Sequence, residues 1–186
     1  SESVRGGCGV CMGLRDLTLV LPYFMNLGML REQHRVWADY PTALRQKLHV
    51  VVVDDCSPRA SRLDGKCTKT LRVQDVPIAS YRIFRLLEKK RWNWLACRNL
   101  GAKMARTPWL LLTDIDHVIP AETMMAVMSE PLRRDDAYRF KRVTVTQPWP
   151  YDVATLPEYK PHNDTWLLAD ELFFHPRVSG YDERLS

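Results

Sequence analysis

The chain has 186 residues, 46% hydrophobic and 26% charged, with a net charge of +5. That composition is ordinary for a globular domain, excludes a disordered chain, and is long enough for one full core. No apolar run approaches the ~20 residues that cross a bilayer, and SESVRGGCGVC at the N-terminus lacks a signal peptide's apolar centre.

The expectation is therefore a single domain over 1–186, cytoplasmic, without a transmembrane segment, and open to homo-oligomerisation. Its positive charge collects in three patches, at Arg82–Arg98, at Arg133–Arg142 and around Arg59–Arg72. None is a dense stripe within a recognisable nucleic-acid module, so no nucleic-acid partner is expected, whereas a phosphate-bearing small molecule suits this balance. The cysteines (Cys8, Cys11, Cys56, Cys67, Cys97) are odd in number and irregular in spacing. Cys8 and Cys11 form a C-x-x-C with no second pair at zinc-site spacing, which reads as reduced thiols.

In chain order, residues 1–16 read as a loose, glycine-rich segment. GGCGVCMG lacks the Lys-Ser/Thr that a phosphate loop needs. LTLVLPY from Leu17 is a strand punctuated by Pro22, and Leu30, Gln33, Val36 and Trp37 then fall at helical spacing over about Leu27–Ala38. His49–Asp55 (HVVVVDD) is the strongest strand, since four valines without alternation imply burial on both faces. Tyr81–Leu87 is a third strand. In the helix that follows, Ala96, Leu100 and Met104 repeat every four residues. WLLLTD is a fourth buried strand, and a helix starts from Pro120 with Met124, Met125 and Met128 inward. Tyr138–Thr146 alternates as one strand with a wet face. QPWPYDVATLPEYKPHND is a long loop of the kind that binds ligands. Thr165–Ala169 is a last strand, and Asp170 caps a short helix.

Alternation of strands and helices makes the chain α/β with a mostly parallel sheet. Ligands of such sheets bind beyond the carboxyl ends of the strands, where Asn26, Asp54, Asp55, Asp114 and Asp116 all fall. Asp114 and Asp116, two residues apart after a buried strand, can address one hard cation such as magnesium or manganese. The alternative is a turn, because aspartate bonds its own backbone there.

VVVVDDCSP, RNLGAKMA, WLLLTDID and GYDER, in that order and spacing, resemble the family 2 glycosyltransferases of the GT-A fold, over about Leu17 to Glu183. The resemblance implies an α/β/α sandwich that transfers a sugar from a nucleoside diphosphate donor, expected to be a UDP-sugar. The acceptor is a hydroxyl, on a glycan or another molecule, and the anomeric carbon inverts. A divalent cation, Mn2+ or Mg2+, is the implied cofactor. Carried over by residue, Pro22 and Asn26 line the base pocket. Asp55 accepts from the base, with Asp54 supporting the turn. Arg91 or Arg98 approaches the nucleotide, the latter competing with a plain surface charge. Asp114 contacts ribose or metal, and Asp116 holds the metal.

Bacterial members commonly continue to a further Glu-Asp pair that supplies the base, whereas GYDERLS ends at Ser186. The expectation is that Asp182, or Glu183 after it, acts as base, with Tyr181 packed beside the sugar, the alternative being that the base and acceptor domain are missing. His162 and His175 are candidates for a third metal ligand, and His117 is expected to point away from Asp116 in an extended segment. Trp149, Tyr151, Tyr159 and Trp166 are candidates for sugar stacking or loop anchoring.

The main alternative is a catalytically impaired protein of the same fold that binds a nucleotide sugar or glycan. An aspartate-nucleophile phosphohydrolase fits less well, because Val118 stands where it wants threonine or serine. A sugar nucleotidyltransferase fits less well because PYFMN replaces its glycine-rich loop.

Overall fold

Four consecutive valines in the middle of a strand can be buried only if both faces of the sheet are covered, and that is how the chain is built. The computed structural model describes residues 13–63, 77–90, 93–140, 142–143, 158–159, 165–176 and 180–181. Strand β2 (Leu48–Asp54) is buried along its length except at His49. It runs parallel to β1 (Leu17–Tyr23) on one side and to β3 (Ser80–Arg85) on the other, with Val51 level with Val20 and Arg82. On its far side β1 pairs in parallel with β4 (Trp109–Leu112). Beyond β4 come β8 (Trp166–Ala169) and then β5 (Tyr138–Arg139), both joined by antiparallel pairing. The six-stranded order is β3-β2-β1-β4-β8-β5.

Alternate residues of each strand serve opposite layers, as the two-residue period of a strand requires. Leu19, Leu21, Val50, Val52 and Leu111 pack with Leu30, Val36 and Trp37 of α1 (Leu27–Asp39) and with Met124 and Met128 of α4 (Ala121–Ser129). On the other face Val20, Leu110 and Leu112 meet Ala102, while Val51 and Val53 meet Cys97, both from α3 (Trp94–Met104). Burying each such aliphatic side chain contributes about 1.5–3 kcal/mol. The result is the expected mixed α/β sandwich, its central sheet mostly parallel.

A glycine explains how closely α3 meets the sheet. Gly101 of α3 lies so near the sheet that a Cβ there would stand 2.2 Å from Val20 Cγ1. Pro22 lies within β1 opposite Val53, yet breaks no ladder bond. The even residues of β1 face β4, as Val20 O shows by accepting from Thr113 N–H. Pairing with β4 ends at Val20, so the N–H that Pro22 lacks falls beyond the last pair.

Four expectations change in detail. The buried face of α3 comprises Leu95, Ala96, Cys97, Arg98, Gly101 and Ala102, with Leu100 and Met104 only partly buried. The approach of Gly101 to Val20 turns the helix that way. The expected strand Tyr138–Thr146 is divided: β5 joins the main sheet, while β6 (Arg142–Val143) pairs with β7 (Glu158–Tyr159) in a separate two-stranded sheet. Asp170 is the first residue of α5 (Asp170–Phe173) rather than its N-cap, which is Ala169. Met125 is partly buried beside the fully buried Met124 and Met128, since at about 3.6 residues per turn it lies on the flank of the stripe those two form.

Candidate functional site

The carboxyl end of β2 carries Asp54 and Asp55, and the two aspartates do different work. Asp54 Oδ1 accepts from Ser57 N–H at 2.8 Å and Oδ2 from Leu63 N–H at 3.5 Å, so this side chain holds the turn after the strand. Cys56 takes the left-handed conformation (φ 51°) inside that turn, and Ser57 Oγ accepts from Met25 N–H at 3.1 Å, tying the ends of β1 and β2 together. Asp55 is 9% exposed. Its Oδ2 accepts from the backbone N–H of Asn93 at 3.2 Å, just before α3, and its Oδ1 is buried with no partner among the described residues. Burial pushes the Asp55 carboxyl above its usual range; the Asn93 hydrogen bond opposes that, and the neighbouring Asp54 charge adds to it. A buried acceptor left open in this way suits a ligand that brings a donor.

The second acidic strand end follows β4. Asp114 to His117 form a turn closed by His117 N–H to Asp114 O at 3.1 Å. The expected extended segment is thus absent, and His117 swings back toward the aspartates: its Nε2 lies 3.7 Å from Asp116 Oδ1. One ligand atom from each of Asp114, Asp116 and His117 lies within 4.8 Å of the others. His117 Nδ1 is held at 3.1 Å by both Thr113 Oγ1 and Thr165 Oγ1, which are 2.8 Å apart. Those hydroxyls orient the ring so that Nε2 faces the carboxylates, the arrangement that metal-ligating histidines need. Gln33, buried on α1, donates to the carbonyls of Ile115 (2.9 Å) and His117 (2.8 Å) and fixes the turn's backbone. Two carboxylates and one imidazole match a divalent cation chemically.

A fully buried cation lies beneath. Arg98, expected as a nucleotide contact or a surface charge, is 0% exposed and pairs through Nη2 with Asp114 Oδ1 at 2.7 Å. Its guanidinium sits 4.7 Å from the Trp94 ring and 5.5 Å from the Tyr181 ring, and Nη1 donates to Tyr181 Oη at 3.1 Å. A charge taken out of water needs such a partner. The paired aspartates are thus offset on one side by Arg98.

α3 therefore reaches both acidic strand ends, with Asn93 on Asp55 and Arg98 on Asp114. Those two residues are about 7.5 Å apart along a helix axis. Asn26 uses its Oδ1 to cap α1 at Met29 N–H (3.2 Å), and Pro22 is half-buried on β1. Tyr181 packs on Trp94, Phe173 and Arg98. His175 is exposed at the end of α5, and Trp166 lies under the Arg139 guanidinium at 5.0 Å, which matches anchoring. Arg91, Trp149, Tyr151, His162, Asp182 and Glu183 lie outside the described residues, as does the side chain of Tyr159. Sequence reading missed Gln33 and the two threonines as supports, and His117 as a site residue. A glutamine on an otherwise apolar helical stripe was the available signal for the first.

A family model described as "Glycosyl transferase family 2" matches residues 38–181. No curated protein matches the chain significantly. Among solved structures, the mannosyltransferase PcManGT from Pyrobaculum calidifontis, in complex with GDP-Man and Mn2+, is similar with a TM-score of 0.62 and 17% identity, over 91% of this chain and 48% of that one. S. aureus TarS 1–349 in complex with UDP has a TM-score of 0.57 and 18% identity, over 91% of this chain and 51% of that one. GalNAc-T7 with UDP, GalNAc and Mn2+ has a TM-score of 0.59 and 15% identity, over 93% of this chain and 38% of that one. At such identities the likeness is one of fold. The chain spans about half the length of these structures or less.

Proposed function

The chain belongs to glycosyl transferase family 2, and we propose that it binds a UDP-sugar with a divalent cation and transfers the sugar, with inversion, to a hydroxyl acceptor. The observation that carries this reading is the pairing of two unlike acidic strand ends by one helix. Asp55 keeps a buried, open acceptor beside Asn93, and Asp114, Asp116 and His117 gather ligand atoms beyond Arg98.

In this reading Asp55 Oδ1 accepts the ring N–H of the base, and Pro22 and Asn26 border the base. Asp114, Asp116 and His117 hold the cation, Mn2+ being favoured over Mg2+ by the imidazole nitrogen. Ligation through His117 Nε2 places the proton on Nδ1, which then donates to a threonine oxygen. When bound, the cation offsets the charge that develops on the departing diphosphate. Asp114 serves the cation or the ribose through the oxygen that Arg98 leaves free. The base that takes the acceptor proton is assigned to Asp182, with Glu183 second, because they are the next two residues after Tyr181, which α3 holds in place. Arg91 is assigned to the nucleotide on the family resemblance, and the domain is taken as one unit over 1–186.

The test is release of free UDP from UDP-sugars, with GDP- and dTDP-sugars beside them, with and without Mn2+ and with candidate hydroxyl acceptors. Metal-dependent release from UDP-sugars supports the reading. Tight metal-dependent binding with no release under any acceptor supports the non-catalytic binding protein instead.

A further inference from the structure

Gly180 and Tyr181 are held by hydrogen bonds to α5 and α3 respectively. Asn99 Nδ2 donates to Tyr181 O at 2.8 Å, and Tyr181 N–H donates back to Asn99 Oδ1 at 2.9 Å, a reciprocal clamp on the backbone. Gly180 N–H donates to Phe173 O at 2.9 Å. Gly180 has φ 70°, and a Cβ there would stand 2.8 Å from Asn99 Oδ1, so the clamp closes only on glycine.

The next residue back along α3 connects this clamp to the acidic site. Arg98 gives Nη1 to Tyr181 Oη and Nη2 to Asp114 Oδ1, so one rigid planar group holds both at once. Its Nε is buried with no hydrogen-bond partner among the described residues, and its burial is supported by these two polar contacts and by the rings of Trp94 and Tyr181. A guanidinium at 0% exposure with Asp114 as its acidic partner has no water to take over if either contact moves.

We infer that Arg98 is a positioning residue that couples the docking of Tyr181 to the orientation of Asp114. Such coupling is reciprocal: whatever orders Asp114 also favours the docked Tyr181, and the reverse. It assigns Arg98 away from direct nucleotide contact. Tyr181, bonded to the other terminal nitrogen of Arg98, thereby influences affinity at the acidic site. The inference rests on the reading of Asp114 as part of a metal–nucleotide site, but its core, the link from Tyr181 to Asp114 through Arg98, does not need a ligand.

Two measurements on the full chain decide it. In the first, UDP affinity with Mn2+ is compared for wild type, Tyr181→Phe, Arg98→Lys and the double variant. Tyr181→Phe keeps the ring and loses only the hydroxyl, and is expected to weaken UDP about 3–10-fold while the chain still melts in one cooperative transition. Lysine keeps the charge but cannot hold two partners in one plane, so Tyr181→Phe is expected to have no further effect in the Arg98→Lys background. An equal effect in both backgrounds, or none in either, overturns the coupling. In the second, melting temperatures are taken without ligand for Tyr181→Phe, Asp114→Asn and their combination. Losses that fail to add support the link, and strictly additive losses overturn it. If wild type shows no metal-dependent UDP binding, the proposed function fails while the second measurement still decides the coupling.

Discussion

The backbone N–H of Asn93 reaches Asp55 Oδ2 at 3.2 Å and leaves Asp55 Oδ1 buried with no partner among the described residues. One oxygen is thus spent on architecture and the other is available. If the available oxygen receives the base, Asp55→Ala weakens UDP by about 1.5–3 kcal/mol, the value of a hydrogen bond to a charged group. Inorganic diphosphate, which has no base, loses far less. Titration calorimetry with both ligands checks this, and equal losses would give Asp55 a structural role alone.

The same residue carries a pH signature. Burial raises the Asp55 carboxyl above 3.8, so its ionised form is the one the fold disfavours. Its stabilising contribution is present below the unfolded value and is lost as pH rises through the raised folded value. Asp55→Asn can still accept from Asn93 N–H while removing the charge. The variant is expected to melt higher than wild type at pH 7, with the advantage shrinking toward pH 4. Melting curves across that range test it, and an advantage that grows on acidification would contradict it.

His34 works in the opposite sense. Burial lowers it from 6.5 to about 4, with the ring 3.0 Å from Tyr81 Oη and 5.3 Å from the Trp37 ring centroid. Because the fold holds the neutral imidazole, its contribution is full above pH 6.5 and is lost as pH falls through about 4. Wild type should therefore lose more melting temperature between pH 7 and pH 4.5 than His34→Gln. Parallel curves would show that His34 is not the group responsible.

Gly101→Ala probes the contact that sets α3 on the sheet. The added Cβ meets Val20 Cγ1 at 2.2 Å and Val53 Cγ2 at 3.4 Å, in a packed interior with no room to give. Overpacking of this kind costs about 1–3 kcal/mol. Urea denaturation measures it directly, and a neutral result would mean that α3 rides higher above the sheet than described.

Much of this was legible in the sequence because burial leaves a pattern. The valine run of β2, the Leu30–Gln33–Val36–Trp37 stripe of α1 and the leucines of β4 each report which faces are covered, and each forms the expected element. The acidic strand ends were legible for the same reason, since polar residues that stop an apolar run mark the sheet's edge. What the sequence concealed depends on contacts between distant elements. Arg98 looks like any helical arginine until Asp114 and Tyr181 are brought to it from 16 and 83 residues away. His117 depends on whether the chain turns after Asp114, and that turn is secured by Gln33, 84 residues away from His117. The short strands β5 and β6 divide an alternating stretch that has no signal for changing sheets.

The central claim is that Asp116, exposed at its side chain beside Asp114 and His117, holds a divalent cation that in turn holds a nucleoside diphosphate. The most direct test is the melting temperature of wild type and Asp116→Ala with UDP and Mn2+, each alone and together, since a ligand that binds only the native state raises it with concentration. The account predicts a rise for wild type that needs both components. It predicts no such rise for Asp116→Ala, whose own melting temperature without ligand stays close to that of wild type. Equal UDP stabilisation with and without Mn2+, or an undiminished rise in Asp116→Ala, would contradict it.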